Sequence, residues 1–270
     1  MAADADRRVI TLHHFAGSGG TIIAKAIAAI GGTIVLSEIH PDRHLRGQYH
    51  PLVQLRQGYG DLLDDDDLRT IDEHFVEEIE LVHGIASKHG RRLVIRDHAH
   101  RDFIETDRFR SRLLDLLADR FEPVSLVSIR DPVDCYLSQL ASDSGSGPWY
   151  RGEPGEFCRR LLAFADAFAG AAFLRYEDFV DEPEGAMQGL CARLGLRFDP
   201  DFRGRLESFT HFTGDSGRRS DVIAPRPRRE LDDAMAIAFA DSSSYRELCR
   251  RLGYERVSSA TPTAAGGSRA

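Results

Sequence analysis

The sequence predicts an α/β protein of one domain, with a central, mostly parallel sheet flanked by helices. Short apolar, β-branched segments alternate with longer segments of helical periodicity, which is typical of a parallel sheet covered on both faces. A chain of 270 residues is long enough for one large domain with its own core. We expect a flexible N-terminus at 1–7, the folded domain at 8–256 and a disordered C-terminal tail at 257–270.

The apolar segments predict five strands, at Val9–His13, Thr33–Ser37, Leu93–Arg96, Val124–Ile129 and Ala172–Tyr176. Helical periodicity predicts helices at 21–30, 68–87, 105–118, 132–141, 156–169, 184–194 and 229–252. Asp67 is expected to cap the helix that begins at Leu68. Ligands of such folds bind beyond the carboxyl ends of the strands, so the residues after each strand are the first candidates for a site.

A glycine-rich turn follows the first strand, and an Ala- and Ile-rich helix follows the turn. Backbone N–H groups at a helix N-terminus attract anions, so this turn predicts an anion site. It lacks both the lysine of a Walker loop and the third glycine of a dinucleotide fingerprint. A plain strand–helix turn stays an alternative. The candidate anion-binding residues are Gly17, Ser18, Gly19, Gly20, Thr21 and Ile22.

The segment after the fourth strand is the most specific. Arg130 ends the strand, Asp131 and Pro132 suit the start of a helix, and Ser138 lies two turns into it. A planar guanidinium beside a hydroxyl suits a phosphate monoester. The alternative is that Arg130 forms a structural ion pair with a neighbouring acid, the candidates being Asp131, Asp134 and Glu177.

Composition excludes several classes of partner. The net charge of −8 argues against a general nucleic-acid or anionic-membrane binder. The four cysteines show no metal-binding spacing and fit a reduced, cytoplasmic protein. The N-terminal residues do not form a secretory signal, and no apolar segment approaches a membrane span.

From about Arg8 to Tyr254 the chain resembles the bacterial sulfotransferases that use 3′-phosphoadenosine 5′-phosphosulfate (PAPS) in a P-loop-like fold. The resemblance rests on the glycine turn, on Arg-Asp-Pro-x-Asp-x-x-x-Ser at 130–138, on Arg-Tyr-Glu-Asp at 175–178 and on the segment 211–219. It implies that the turn holds the 5′-phosphosulfate and that Arg130 and Ser138 hold the 3′-phosphate. It further implies that Tyr176 lies near the adenine and that a late loop closes over the nucleotide through Gly217, Arg218 and Arg219.

The sequence departs from this family at one position. The family often places Lys or Arg immediately before the loop serine, where this chain has Gly17. Lys25, Arg96 or a histidine of the His13–His14 pair could supply the charge instead, and the sequence leaves the choice open. A loop that holds one phosphosulfate, without magnesium, does not require a Walker lysine.

The resemblance also implies a general base, either a histidine after the third strand or a glutamate after the second. This chain has both, His98 and Glu38. We favour His98, because an imidazole with a pKa near ~6.5 suits base catalysis at neutral pH, whereas a glutamate needs its pKa raised by burial. His98 and His100 also fit two metal ligands, but no third ligand follows from the spacing, and no metal is expected.

The function expected is sulfuryl transfer from PAPS to a hydroxyl or amine of a small-molecule or carbohydrate acceptor. The alternatives are a nucleotide-dependent phosphotransferase and a catalytically inactive binding protein of the same fold. We expect no metal, nucleic-acid or membrane partner, and a homodimer stays an open option.

Overall fold

The computed structural model describes residues 6–42, 50–141, 152–210, 212 and 222–257. These residues form five strands: β1 (Arg8–His14), β2 (Thr33–Ile39), β3 (Arg92–Asp97), β4 (Glu122–Ile129) and β5 (Ala172–Arg175). The α-helices among these residues are α1 (Gly20–Ala29), α2 (Pro51–Tyr59), α3 (Asp65–Lys88), α4 (Arg112–Leu117), α5 (Pro132–Leu140), α6 (Pro154–Ala167), α7 (Tyr176–Asp181), α8 (Pro183–Leu194), α9 (Asp233–Asp241) and α10 (Ser243–Leu252). Shorter turns are 3₁₀-helical at Gly60–Leu62 and Pro200–Ser208 and π-helical at Arg101–Glu105.

The sheet has the order β2-β3-β1-β4-β5, and every pair of neighbouring strands is parallel. The chain leaves β1 toward β2 on one side of the sheet and leaves β4 toward β5 on the other. The connections after these two adjacent strands therefore diverge and open a crevice at their carboxyl ends. The glycine turn follows β1 and Arg130 follows β4, so both lie at this switch point of the sheet.

Helices cover both faces of the sheet, as predicted. On one face α1 and α8 pack against Ile10, Leu12 and Leu126. Successive side chains of a strand point to opposite faces of the sheet, so Val9 lies on the other face, where it packs with α3 and α4. Val127 on that face packs with α6 and α10. This two-sided burial explains why the strands are continuously apolar rather than alternating.

Several predicted helix boundaries are wrong. Asp64, not Asp67, is the N-cap of α3; its side chain accepts hydrogen bonds from the backbone N–H groups of Asp66 and Asp67, and Asp67 completes a capping box. The predicted helix 105–118 is reduced to α4, since a π-helical turn precedes it and the Ser111 side chain caps it. The predicted helix 229–252 is divided at Ser242, which caps α10 through the N–H of Tyr245.

Helix α2 was not predicted, because its apolar residues lack a helical pattern and only Val53 is buried. Among the described residues, none of the helices combines the length and the apolar character needed to cross a membrane.

Candidate functional site

The turn between β1 and α1 is shaped by two glycines in the left-handed region, Gly17 at φ 86° and Gly19 at φ 85°. Gly19 is the N-cap of α1, so the first N–H groups of the helix have no carbonyl partner within it. The buried Ser18 donates both its N–H, at 3.1 Å, and its hydroxyl, at 2.8 Å, to the Phe15 carbonyl. The turn thus points backbone donors into the crevice, while Ser18 fixes its shape.

Close contacts leave no room for side chains at three positions of the turn. A Cβ at Gly17 would lie 2.8 Å from the Cys135 carbonyl oxygen, one at Gly19 would lie 2.2 Å from the Tyr176 ring, and one at Gly20 would lie 2.3 Å from the His14 ring. Both a positive φ and the backbone of α5 therefore exclude a lysine or arginine at position 17. Any positive charge beside the turn therefore has to come from another part of the chain.

We expect Gly19→Ala to lower both stability and nucleotide binding, and Gly31→Ala is its matched control. Gly31 has a similar φ of 81° but no atom within 4 Å of its added Cβ. The control should cost about 1–2 kcal/mol for the left-handed backbone alone. Gly19→Ala should cost a further 1–3 kcal/mol or so for the collision with Tyr176. Equal melting temperatures for the two variants would contradict this account of the turn.

Arg130 faces the glycine turn across the crevice. Its Nη1 donates to the Gly17 carbonyl at 3.2 Å, and its guanidinium carbon lies 4.8 Å from the centre of the Tyr176 ring. Its buried Nε has no hydrogen-bond partner among the described residues. The buried Ser138 lies close by, with its Cβ 3.3 Å from the position that a Cβ on Gly17 would occupy. The turn, Arg130, Ser138 and Tyr176 thus lie close together.

The acids that could neutralise Arg130 are engaged elsewhere. Asp131 caps α5 and pairs with Arg228 at 2.5 Å, and Asp134 pairs with Arg228 at 3.1 Å. Glu177 accepts hydrogen bonds from the Asp131 N–H and the Tyr254 hydroxyl, each at 2.9 Å. In the part of the chain that the structure describes, Arg130 forms no ion pair. The alternative prediction, that Arg130 pairs with one of these acids for a structural purpose, is therefore wrong. The role of Arg228 was not predicted, because no local pattern links it to these distant acids.

A second polar cluster lies at the ends of β2 and β3, around the almost fully buried Arg96. Its Nη2 donates to the Thr21 hydroxyl and to Glu38 Oε1, both at 2.9 Å, and its Nε donates to His14 Nε2 at 3.0 Å. Burial lowers the pKa of Arg96, and the charge of Glu38 opposes that shift. Arg96 therefore connects the glycine turn to Glu38, which lies at a bulge in β2 with a left-handed φ of 54°.

The two histidines at the end of β1 do not supply the missing charge. His13 is fully buried, 2.7 Å from Asp97 through Nδ1 and 2.9 Å from the Thr11 hydroxyl through Nε2, and its ring stacks on Phe168. It is a core histidine on the face of the sheet away from the turn. Burial, followed by the charge of Arg96, holds the pKa of His14 well below its usual value, so that His14 is neutral and accepts from Arg96.

Two further predicted site residues, His98 and Lys25, lie just after β3 and on α1, the helix that follows the glycine turn. His98 follows β3, is 1% exposed and places its ring centre 3.6 Å from that of His100. Lys25 is buried on α1, one helical turn after Thr21 and on the same side of the helix. Gly217, Arg218 and Arg219 lie outside the described residues.

Solved structures of known sulfotransferases are similar to this chain over most of its length, and the first of them has a TM-score above 0.5. A sulfotransferase domain from the Synechococcus PCC 7002 olefin synthase is 14% identical, covers 94% of this chain and 98% of its own, and has a TM-score of 0.54. The mouse sulfotransferase SULT7A1, complexed with PAP, is 13% identical, covers 93% of this chain and 85% of its own, and has a TM-score of 0.45. A sulfotransferase from Alicyclobacillus acidocaldarius is 16% identical, covers 84% of this chain and 98% of its own, and has a TM-score of 0.40.

Curated protein sequences contained no match. The sequence model of the sulfotransferase family, in contrast, matches residues 18–200. This match covers more than half of the chain and includes the turn from Ser18, Arg130 and Ser138. The chain therefore belongs to the sulfotransferase family.

Proposed function

We propose that the chain transfers a sulfuryl group from PAPS to a hydroxyl or amine of a small-molecule or carbohydrate acceptor. The observation that carries this proposal is the pairing of two anion-binding elements across one crevice. The glycine turn presents helix N-terminal N–H groups on one side, and Arg130 with its unsatisfied Nε lies on the other. Two separate anionic groups on one nucleotide, a 5′-phosphosulfate and a 3′-phosphate, match this arrangement.

The donor would be held by residues of both elements. We assign the 5′-phosphosulfate to the turn residues Gly17 to Thr21 with the N–H of Ile22, and the 3′-phosphate to Arg130 and Ser138. Tyr176, whose ring packs between Gly19 and Arg130, would stack on the adenine. Gly217, Arg218 and Arg219 stay proposed contacts from the late loop.

We assign to Arg96 the positive charge that a side chain at position 17 cannot supply. An arginine stays protonated at any physiological pH, even when burial lowers its pKa, and Glu38 compensates its charge here. Arg96 acts on the donor through the Thr21 hydroxyl, which it polarises at 2.9 Å. Lys25, one turn further along the same side of α1, is proposed as a second source of positive charge.

His98 is proposed as the general base. PAPS supplies a sulfur that is bonded to a good phosphate leaving group. As the acceptor oxygen bonds to that sulfur and the bond from sulfur to phosphate breaks, His98 takes the proton of the acceptor. The N–H groups of the turn stabilise the negative charge that grows on the leaving phosphate, because they are oriented before the reaction. Glu38 is less suited to this role, since its carboxylate is held by Arg96.

A transfer assay tests this function directly. The protein is incubated with PAPS and a metabolite extract, and mass spectrometry searches for products that are heavier by one sulfuryl group. A sulfated product that depends on PAPS supports the proposal. Transfer from ATP instead would favour a phosphotransferase, and binding of PAPS without any product would favour an inactive binding protein.

The four cysteines, all buried as free thiols, support a location in the reducing cytoplasm.

We expect turnover with PAPS to survive exhaustive chelation of metals, because fixed N–H groups and protein cations supply the stabilisation. Turnover is measured before and after treatment with a chelator, followed by metal analysis of the protein. Loss of turnover on removal of a stoichiometric metal, with recovery when that metal is returned, would contradict this prediction.

A further inference from the structure

Three potential metal ligands converge beside the proposed base. His98, His100 and Glu105 each offer one ligand atom, and these atoms all lie within 4.8 Å of one another. Both imidazoles are almost fully buried. The spacing of the two histidines in the sequence suggested a pair of ligands, and the folded chain adds the third.

The π-helical turn at Arg101–Glu105 creates this arrangement. His100 is the N-cap of the turn, and the N–H of Thr106 bonds to the Arg101 carbonyl at 3.1 Å across the wider π-type ring. The wider turn brings Glu105 close to His100, with Oε1 3.6 Å from Nε2. Single π-helical turns are frequent at functional sites, and an ordinary α-helical turn would direct Glu105 away.

The distances suit a tetrahedral transition-metal ion. Zinc binds histidine nitrogen at about 2.0–2.1 Å and carboxylate oxygen at about 2.0–2.2 Å, so two of its ligand atoms lie about 3.4 Å apart. His100 Nε2 and Glu105 Oε1 are 3.6 Å apart. The other pairs of ligand atoms lie within 4.8 Å of each other, so small side-chain rotations bring them to this separation. Two imidazoles and one carboxylate are a ligand set that zinc accepts, with the fourth position open.

The surroundings support binding of an ion. Arg101 Nη1 donates to Glu105 Oε2 at 2.8 Å, which directs the other carboxylate oxygen toward His100. Such an outer contact orients a ligand carboxylate. Glu105 and Arg101 also line a cavity of about 600 Å³ with Asp42, Arg56 and Gln57, so that the Glu105 side of the cluster borders an open space.

We propose that His98, His100 and Glu105 form a binding site for zinc or a similar divalent transition metal, and that the bound ion inhibits the enzyme. The binding site stands on the geometry alone. The inhibition rests on the proposed function, because a metal on the His98 imidazole occupies the lone pair that a general base needs. The metal-free protein is then the active form, and chelation relieves inhibition rather than causing it.

Zinc binding is tested by titration calorimetry on the metal-free protein, which requires no activity. We expect one zinc ion per chain in the wild type and at least about tenfold weaker binding in Glu105→Gln and in His100→Asn. Arg101→Ala should weaken binding by a smaller factor, since its guanidinium only orients Glu105. His74→Asn is the matched control, because His74 pairs with Glu77 and Glu78 on the exposed surface of α3 and should not affect binding.

The same zinc concentrations are then added to the transfer assay, and each variant is compared with its own metal-free turnover. We expect zinc to inhibit the wild type and His74→Asn in parallel with binding, and a chelator to restore turnover. Binding that survives both Glu105→Gln and His100→Asn, or no binding in the wild type, would overturn the site. Binding at the expected residues without inhibition would overturn only the inhibitory role. A chain that binds zinc as expected but never transfers sulfuryl keeps the site and loses the proposed function.

Discussion

Replacing His98 by alanine is expected to lower turnover with PAPS by about 10²–10⁴, the range typical for loss of a general base. In the proposed function the donor is held by the glycine turn and by Arg130, whereas His98 follows a different strand, β3, so nucleotide binding should change little. Turnover is measured in a sulfuryl transfer assay, and nucleotide binding is measured by thermal melting. An intact nucleotide-induced shift in melting temperature shows that the variant is folded.

Glu38→Gln is the companion variant, because Glu38 is the competing base. Glutamine removes the negative charge of Glu38 but keeps an oxygen that accepts from Arg96 Nη2, whereas alanine would remove both the charge and the acceptor beside a buried guanidinium. We expect Glu38→Gln to keep turnover within about tenfold of the wild type, since the amide still orients Arg96. The assignment is reversed if His98→Ala retains near wild-type turnover and Glu38→Gln is inactive.

Arg130→Ala is expected to abolish most of the preference for a nucleotide that carries a 3′-phosphate. A dianionic phosphate gains charge-assisted hydrogen bonds from the Arg130 guanidinium, whose Nε has no partner among the described residues, and a ribose 3′-hydroxyl cannot make them. The wild type should therefore bind adenosine 3′,5′-bisphosphate much more tightly than adenosine 5′-monophosphate. In a melting assay, a ligand at about 100 times its dissociation constant stabilises the folded state by about 2.7 kcal/mol.

Three variants separate specific recognition from a general effect of charge. Arg130→Ala should reduce bisphosphate binding and leave monophosphate binding almost unchanged. Arg130→Lys should rescue only part of the preference, because an ammonium lacks the planar fork of the guanidinium. Arg193→Ala, which removes an exposed arginine from α8, should leave the preference intact. Equal binding of the two nucleotides by the wild type, or a preference for ATP with magnesium, would refute the assignment of a 3′-phosphate site.

Local patterns determined the architecture of the protein. Continuous apolar segments are required by strands that are buried on both faces, and for this reason all five strands were predicted within a few residues. The glycine turn and the segment from Arg130 to Ser138 could also be recognised, because a tight turn and a helix N-terminus require particular residue types at nearby positions in the sequence. These two segments follow adjacent strands, so their meeting at one crevice follows from the strand order.

Only the tertiary structure decided what the individual charges do. It showed that Arg228 engages the acids near Arg130, that His13 is confined to the core and that Arg96 reaches the glycine turn. It also brought Glu105 to the two histidines, through a π-helical turn that no local pattern indicated. The reason is physical: the partner of a side chain depends on residues distant in the sequence, and the chemistry of a charged group changes with that partner and with burial. A sequence fixes which charged groups are available, and packing determines which of them remain available to a ligand.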